Sequence, residues 1–157
     1  MRKLNLLLVD DNPHFLKAAR EVLAVLPCVA GIDCAASGEE ALALAGRSRP
    51  DLVLTDLVMP GMSGFELIRT LRGCNAPPRV VALTLHEGLE YRAAAGRSGA
   101  DGLIPKREFG AHIPALIASL ASNCNEKVPA RRPEDARYDA TKPAAFAEIR
   151  DLAFRPA

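Results

Sequence analysis

The sequence has 157 residues, the length of one ordinary domain with room for a short further segment. With 20 basic and 19 acidic residues the net charge is +1, so the composition gives no footprint for nucleic acid or an anionic membrane. No apolar run approaches the roughly 18 residues of a membrane span. The four cysteines lack the spacing of a zinc site. We therefore expect a cytoplasmic protein with reduced thiols and no signal peptide.

The first third of the chain alternates strand and helix patterns. Leu4–Val9 is a continuous apolar run, typical of a strand covered on both faces. Pro13 can open a helix whose apolar residues recur at helical spacing. A second strand is predicted at Val29–Ala35. Ser37, with Glu40 three residues later, predicts a capping box at the start of a second helix.

The alternation continues to about residue 122. The remaining predicted elements are, in chain order, a strand at residues 51–55, a helix at 65–71, a strand at Arg79–Thr84, a helix at 89–97, a strand at Gly102–Pro105 and a helix at 110–122. Pro114 fits this last helix only if it lies in the first turn, where no N–H donor is needed. Five strands alternating with five helices predict an α/β fold with a parallel sheet and right-handed crossovers.

The end of the chain has a different composition. Residues 124–157 contain four of the 12 prolines and side chains of both charges, which predicts a polar, Pro-containing tail that contributes little to folding. Residues 145–153 show helical spacing and could form a small docking helix, although so short a helix is marginal in water. We therefore expect one folded domain at residues 1–123, followed by a flexible tail.

Polar residues stand at the ends of four predicted strands. Asp10 and Asp11 follow the first strand, Asp56 follows the third, Thr84 ends the fourth and Lys106 follows the fifth. In an open parallel sheet the site lies at the carboxyl ends of the strands, so these five residues should lie together. Carboxylates that close repel one another unless a cation joins them, and Mg²⁺ prefers carboxylate oxygen. A hydroxyl and an ammonium beside a metal-bound carboxylate can hold a phosphoryl group.

Each of these residues has a common alternative explanation when it is considered alone. An Asp-Asp pair is usually a solvated turn or a helix cap, Thr84 could be an ordinary strand residue, and Lys106 could be a surface charge. Their coincidence at one predicted edge, together with the Met59-Pro60-Gly61 turn, favours a phosphoryl site. Gly61 and Gly64 are expected to serve the backbone of this loop as well.

At these residues the chain resembles the bacterial response-regulator receiver domain. The acidic pair of that family corresponds to Asp10-Asp11, its phosphoacceptor segment to residues 56–64, its switch hydroxyl to Thr84 and its lysine to Lys106. The likeness extends over roughly residues 3–122. It implies a flavodoxin-like, doubly wound, five-stranded parallel sheet with strand order 2-1-3-4-5 and five helices, an order for which a receiver is a known example.

The resemblance also implies a mechanism. Asp56 would accept a phosphoryl group from the phosphohistidine of a sensor histidine kinase or phosphotransfer protein. Lys106 would offset phosphoryl charge, and Thr84 would then hydrogen-bond a phosphoryl oxygen. Mg²⁺ would be held by Asp10 (mainly through water), Asp11, Asp56 and the backbone carbonyl of Val58. Such a protein is a phosphoacceptor that assists its own phosphorylation and dephosphorylation, rather than an enzyme, and it signals by conformational change and protein contact.

Some positions depart from the family pattern. Leu103 stands where most receivers have an aromatic residue, and Arg107 replaces the proline that commonly follows the lysine. Residues 83–87 and 99–102 resemble receivers linked to helix-turn-helix domains, but the tail is too short for such a unit. We therefore expect a single-domain regulator with a downstream protein target and no direct DNA binding. Members of this family often form homodimers through helix four, strand five and helix five.

Three alternatives to this function are a scaffold, a phosphatase, and a flavin or nucleotide protein. A receiver-like scaffold could bind partners without phosphorylation, although every acidic, hydroxyl and lysine position of the site is intact. A phosphatase with an aspartyl intermediate commonly needs a second acid two residues after its nucleophile, and that residue is Val58 here. A flavin or nucleotide protein of this fold would need a glycine loop after the first strand, where the sequence is acidic instead.

Overall fold

The computed structural model describes residues 1–86 and 88–122. The predicted tail and its docking helix lie outside this range. The described elements are β1 Leu4–Val9, α1 Pro13–Ala24, β2 Val29–Ala35, α2 Gly38–Ser48, β3 Leu52–Asp56, α3 Gly64–Arg72, β4 Arg79–Thr84, α4 Leu89–Ser98, β5 Gly102–Pro105 and α5 Phe109–Ser122, with a short 3-10 turn at Lys106–Glu108. Within the described residues, no helix is both long enough and apolar enough to cross a membrane.

All five strands run parallel in the order β2-β1-β3-β4-β5, which confirms the expected topology. The register keeps the strand ends level, because Asp56 pairs with Leu83 and Thr84 pairs with Pro105. Consecutive strand side chains point to opposite faces, so each face of the sheet receives alternate apolar residues. The polar residues that end these strands are therefore brought to one edge.

Two apolar clusters cover the two faces of the sheet. One cluster joins Leu6 and Leu8 of β1 to side chains of α1 and α5. The other joins Leu7 and Val9 to side chains of α2, α3 and α4. Helix α4 contributes least to this second cluster, with the buried Ala95 and the partly buried Tyr91. Helix α2 also buries a single hydrophobic residue, Ala41, but adds three partly buried ones, Leu42, Leu44 and Ala45. Helix α4 is therefore held by fewer apolar contacts than α5, which buries Phe109, Ile113, Leu116, Ile117 and Ala121.

The helix starts show how local hydrogen bonds differ from the pattern in the sequence. Ser37 caps α2 as predicted, but the Glu40 carboxylate accepts from the backbone N–H of Ala36 and does not complete the box at Ser37. A complete capping box occurs at the start of α3, between Ser63 and Glu66. This second box fixes where α3 begins after the loop that follows β3.

The expectation for Pro114 is wrong. Helix α5 begins at Phe109, so Pro114 lies in the second turn and cannot donate to the carbonyl four residues before it, at Gly110. Gly110 is exposed and has open space around its Cα, so water can solvate that carbonyl. Strand β3 begins and ends one residue later than the expected range of 51–55, since it includes Asp56 and excludes Asp51.

A charged cluster ties α3, β4 and β5 together at the edge of the sheet opposite the polar strand ends. Asp101 pairs with Arg72 and Arg79 and accepts a hydrogen bond from the backbone N–H of Val80 at 2.8 Å. Arg72 Nε also donates to the carbonyl of Gly99 at 2.5 Å. Gly99 ends α4 at φ 103°, a conformation that favours glycine. The C-terminal end of α4 is thus fixed to the end of α3.

Candidate functional site

Three acids converge at the carboxyl edge of the sheet, as the sequence predicts. Asp10 follows β1 and is fully buried, Asp56 ends β3 and is almost buried, and Asp11 is exposed. One carboxylate oxygen from each lies within 4.8 Å of those of the other two. Asp10 Oδ1 accepts from the backbone N–H of Asn12 at 2.8 Å. This bond orients Asp10, while Asp11 faces solvent.

The backbone around Asp56 is fixed by close packing against α3. Asp56 Oδ1 accepts from the N–H of Leu57 at 2.8 Å, and the Thr55 hydroxyl donates to the Asp56 carbonyl at 2.9 Å. Gly64 N–H donates to the Leu57 carbonyl at 2.9 Å, and a Cβ at Gly64 would stand 1.9 Å from the Asp56 carbonyl oxygen. Only glycine therefore lets α3 start so close to Asp56.

Lys106 connects the two buried acids. Its Nζ lies 2.5 Å from Asp10 Oδ2 and 3.1 Å from Asp56 Oδ2, and its side chain is 7% exposed. Asp10 Oδ2 has no well-aligned hydrogen bond, so this ammonium is its one close partner among the described residues. The ammonium also lies 4.8 Å from the centroid of the Phe15 ring, which in turn packs edge-on against Phe109.

The Lys106 ammonium does not fully compensate the burial of Asp10. Burial raises the pKa of Asp10, and the hydrogen bond and charge of Lys106 offset only part of this effect. For Lys106, burial alone lowers the pKa, but hydrogen bonds and charge contacts with Asp10 and Asp56 outweigh it and raise the pKa overall. The ammonium therefore stays charged while the buried acid beside it remains short of positive charge.

The donor set suits a hard divalent cation. Carboxylate oxygen is the ligand that Mg²⁺ prefers, and two opposite ligands of one Mg²⁺ stand about 4.2 Å apart at its usual bond lengths. The three acids already span a similar distance, within 4.8 Å, and one of them is open to solvent for ion entry. Asp10, Asp11 and Asp56 are therefore chemically fit to hold Mg²⁺.

Thr84 lies at the same edge, but its hydroxyl is bonded to the loop that follows. The hydroxyl accepts from the backbone N–H of His86 at 2.9 Å and donates to the His86 carbonyl at 3.1 Å. Val58, two residues after Asp56, is 53% exposed. Gly61 in the same loop has φ 73°, which supports the expectation that its backbone needs glycine.

Several residues at this site carry no recognisable signal in the sequence. Phe15 is predicted as part of an apolar helix stripe, and its contact with Lys106 appears only after α1 packs beside α5. His86 is expected to be an exposed loop residue, and it is exposed, but its ring stacks on Tyr91 with centroids 4.6 Å apart. Glu39 of α2 reaches across to accept from the Met62 N–H at 3.2 Å. Each contact joins elements that are distant along the chain or depends on a loop conformation.

Curated relatives with this sequence pattern are regulatory proteins. The nitrate/nitrite response regulator protein NarL of Escherichia coli is 34% identical over 101 residues, which cover 64% of this chain and 47% of NarL. Response regulator MprA of Mycobacterium tuberculosis is 31% identical over 133 residues, covering 83% of this chain and 53% of MprA. The chain thus spans about half the length of the curated relatives it matches.

The fold and the family profile agree with these relatives. The signal receiver domain of the response regulator NarL from Mycobacterium tuberculosis superposes with a TM-score of 0.69 and 26% identity, covering 78% of this chain and 99% of that domain. The response regulator receiver domain profile matches residues 6–119. The chain therefore belongs to the response regulator receiver domain family of two-component systems.

Proposed function

We propose that Asp56 accepts a phosphoryl group from the phosphohistidine of a histidine kinase or phosphotransfer protein. The observation that carries this proposal is the Lys106 ammonium, which lies between the Asp10 and Asp56 carboxylates beside the exposed Asp11. This arrangement supplies a nucleophile, a fixed cation and three oxygen ligands at one edge of the sheet. Family membership supports the same assignment.

The transfer follows from the positions of these groups. A carboxylate oxygen of Asp56 attacks the phosphorus, a new P–O bond forms, and the P–N bond to the donor imidazole breaks with its electron pair passing to that nitrogen. Lys106 offsets charge on the phosphoryl oxygens from one side. Mg²⁺, when held by Asp10, Asp11, Asp56 and the Val58 carbonyl, supplies further positive charge there. The backbone N–H of Leu57 keeps Asp56 oriented.

The consequence of phosphorylation is a change of surface that another protein reads. Adding up to two negative charges at one strand end is a strong local input to a two-state element. We propose that the output is protein contact, including self-association through α4, β5 and α5, rather than direct contact of this domain with DNA. The net charge of +1 supports this view, because the sequence has no overall excess of positive charge for binding nucleic acid.

Labelling with a small phosphodonor tests the assignment. Acetyl phosphate with Mg²⁺ should add one phosphoryl group to the wild type, as measured by intact-protein mass spectrometry, and none to Asp56→Asn. Asp11→Ala and removal of Mg²⁺ by a chelator should both prevent labelling. Asp33→Asn, in β2 and away from the strand ends, is the matched control and should be labelled like the wild type.

Two outcomes would contradict the proposal. Equal labelling of Asp56→Asn would show that another residue is the acceptor. The second outcome is a folded wild type that is not labelled and does not bind Mg²⁺. It would favour the alternative of a receiver-like scaffold that binds partners without phosphorylation.

A further inference from the structure

The hydroxyl of Thr84 is already engaged in a closed hydrogen-bonded turn. Its single proton is donated to the His86 carbonyl, and the same oxygen accepts from the His86 N–H. A hydroxyl has one proton to donate, so it can bond a phosphoryl oxygen only after releasing the His86 carbonyl. Whatever holds His86 in place therefore controls how readily Thr84 becomes available.

His86 is held by an aromatic contact with the first turn of α4. Its imidazole ring stacks on the Tyr91 ring at 4.6 Å between centroids and 10° between planes. The start of α4 has little other support, because Gly88 gives it no side-chain cap and Leu89 is 81% exposed. Tyr91 is partly buried against the apolar cluster below. The His86–Tyr91 stack thus links the Thr84 turn to the beginning of α4.

His86 and the start of α4 also border a cavity at the surface. This cavity of about 250 Å³ lies beside Leu103, with His86, Gly88 and Arg92 on one side and Pro105, Arg107 and Glu108 on the other. Leu103 is buried and forms its inner wall. Any movement of His86 and the start of α4 therefore changes the shape of a surface at the border of α4 and β5.

We propose that His86 and Tyr91 are positioning residues for Thr84. Their stack holds the His86 carbonyl against the Thr84 hydroxyl, and breaking it frees the hydroxyl for a phosphoryl oxygen and moves the first turn of α4. This proposal rests on the proposed function, since it assumes a phosphoryl group at Asp56. Under this proposal, Tyr91 of α4 couples the phosphoryl group at Asp56 to the surface at the border of α4 and β5.

The coupling predicts a specific change in affinity. If a phosphoryl analogue binds only when Thr84 is released, its apparent affinity equals its intrinsic affinity multiplied by the fraction of molecules in which the stack is open. Losing one aromatic pair shifts such an equilibrium by about twofold to tenfold. A variant that lacks the stack should therefore bind the analogue about twofold to tenfold more tightly, without any new contact to it.

The test compares variants that remove the stack with variants that keep it. Beryllofluoride with Mg²⁺ is titrated into the whole protein and followed by fluorine NMR. Tyr91→Leu and His86→Leu should bind more tightly than the wild type, whereas Tyr91→Phe and His86→Phe keep two stacked rings and should match it. Because His86 is exposed, its variants remain informative even if Tyr91→Leu folds poorly. Hydrogen exchange of residues 84–92 without the analogue should also be faster in both leucine variants.

The results separate the two proposals. Unchanged or weaker affinity in both leucine variants, with a wild type that binds the analogue, would overturn the role of the stack alone. The same shift in the phenylalanine variants would also overturn it, because it would show that stacking is not the cause. A wild type that binds no analogue would overturn the proposed function, and this inference with it.

Discussion

Lys106 contacts Asp10 and Asp56 at the same time, and so joins residues that are far apart in the sequence. The sequence places a positive charge at the end of β5, but it does not show that this charge is shared between two buried carboxylates. That sharing depends on the depth of Asp10, which is fully buried, and on the Phe15 ring beside the ammonium. The electrostatic balance of the site is therefore a property of the packed structure.

Asp10 should lower the stability of the metal-free protein. Burial raises the pKa of Asp10. At pH values between the usual and the raised pKa, the folded state therefore binds more protons than the unfolded state. The free energy of unfolding falls as pH increases through that window. The substitution Asp10→Asn removes the buried charge, and Lys106 still has Asp56 as its ion-pair partner. We therefore expect Asp10→Asn to raise the free energy of unfolding by about 1 kcal/mol or more near pH 7. Urea unfolding in a chelator measures this change.

Two comparisons make that prediction specific. The advantage of Asp10→Asn should shrink as pH falls through the raised pKa of Asp10, since protonation then removes the charge from the wild type as well. Added Mg²⁺ should stabilise the wild type more than the variant, because a ligand stabilises the state that binds it. A less stable variant in chelator would show that the buried pair of Asp10 and Lys106 is net stabilising.

Val58 should slow the hydrolysis of the aspartyl phosphate. The residue is 53% exposed, two positions after Asp56, and its side chain offers no hydrogen bond to orient an attacking water. We expect Val58→Asn to shorten the phosphoryl lifetime severalfold, measured by loss of label after the phosphodonor is removed. Val25→Asn, an exposed valine directly after α1, is the matched control and should leave the lifetime unchanged. An unchanged or longer lifetime in Val58→Asn would refute this role.

Helix α3 begins as close to Asp56 as backbone atoms permit. Its first residue is Gly64, whose N–H bonds the Leu57 carbonyl, and its capping box from Ser63 to Glu66 determines the start of the helix. The position of Asp56 is therefore set by an element that follows it by eight residues. Any side chain at residue 64 would push α3 away from the strand end.

Gly64→Ala should damage both the fold and the site. A Cβ 1.9 Å from the Asp56 carbonyl oxygen forces the backbone to shift, and we expect a loss of about 2 kcal/mol or more in the free energy of unfolding with weaker labelling of Asp56. Gly46→Ala is the control, since Gly46 lies in α2 with nothing within 4 Å of the added carbon, and it should stabilise by about 0.5–1 kcal/mol. Wild-type stability in Gly64→Ala would contradict the packing.

The elements show which parts of the fold follow from local sequence. Strand periods and apolar runs are local, so the bounds of β1, β2, β4 and β5 agree with the predictions. Pro114 was misassigned because the sequence does not show that α5 begins at Phe109, where packing against Phe15 holds its first turn. The acids, Thr84 and Lys106 could be located from strand ends alone. The Thr84–His86 bonds could not, because they depend on the conformation of the loop between β4 and α4.

The helices pack unequally against the sheet. Helices α1 and α5 share one cluster rich in large apolar side chains, while α4 buries only small residues and part of Tyr91. Leu103 at β5 is buried and carries no ring or hydroxyl that a partner could read. A signal from the site therefore has one weakly held element through which it can reach the surface.

Phosphorylation should act mainly on α4 and the loop before it. With beryllofluoride and Mg²⁺, we expect the largest change in hydrogen exchange within residues 84–98. The opposite face, represented by α1 and the later turns of α5, serves as the internal reference and should change little. If residues 84–98 are silent and the change is confined to α1, the proposed route of the signal is wrong.

The charged cluster around Asp101 fixes only one end of α4. Arg72 donates to the Gly99 carbonyl at the C-terminal end of the helix, while the N-terminal end has no side-chain cap. Helix α4 can therefore rotate as a rigid body about Gly99. A helix of ten residues is about 15 Å long, and a turn of about 10° would carry its first residue about 2.6 Å. If phosphorylation releases the bond from Thr84 to His86, we expect such a rotation to turn the exchange of one hydrogen bond into a displacement large enough to distinguish two binding surfaces.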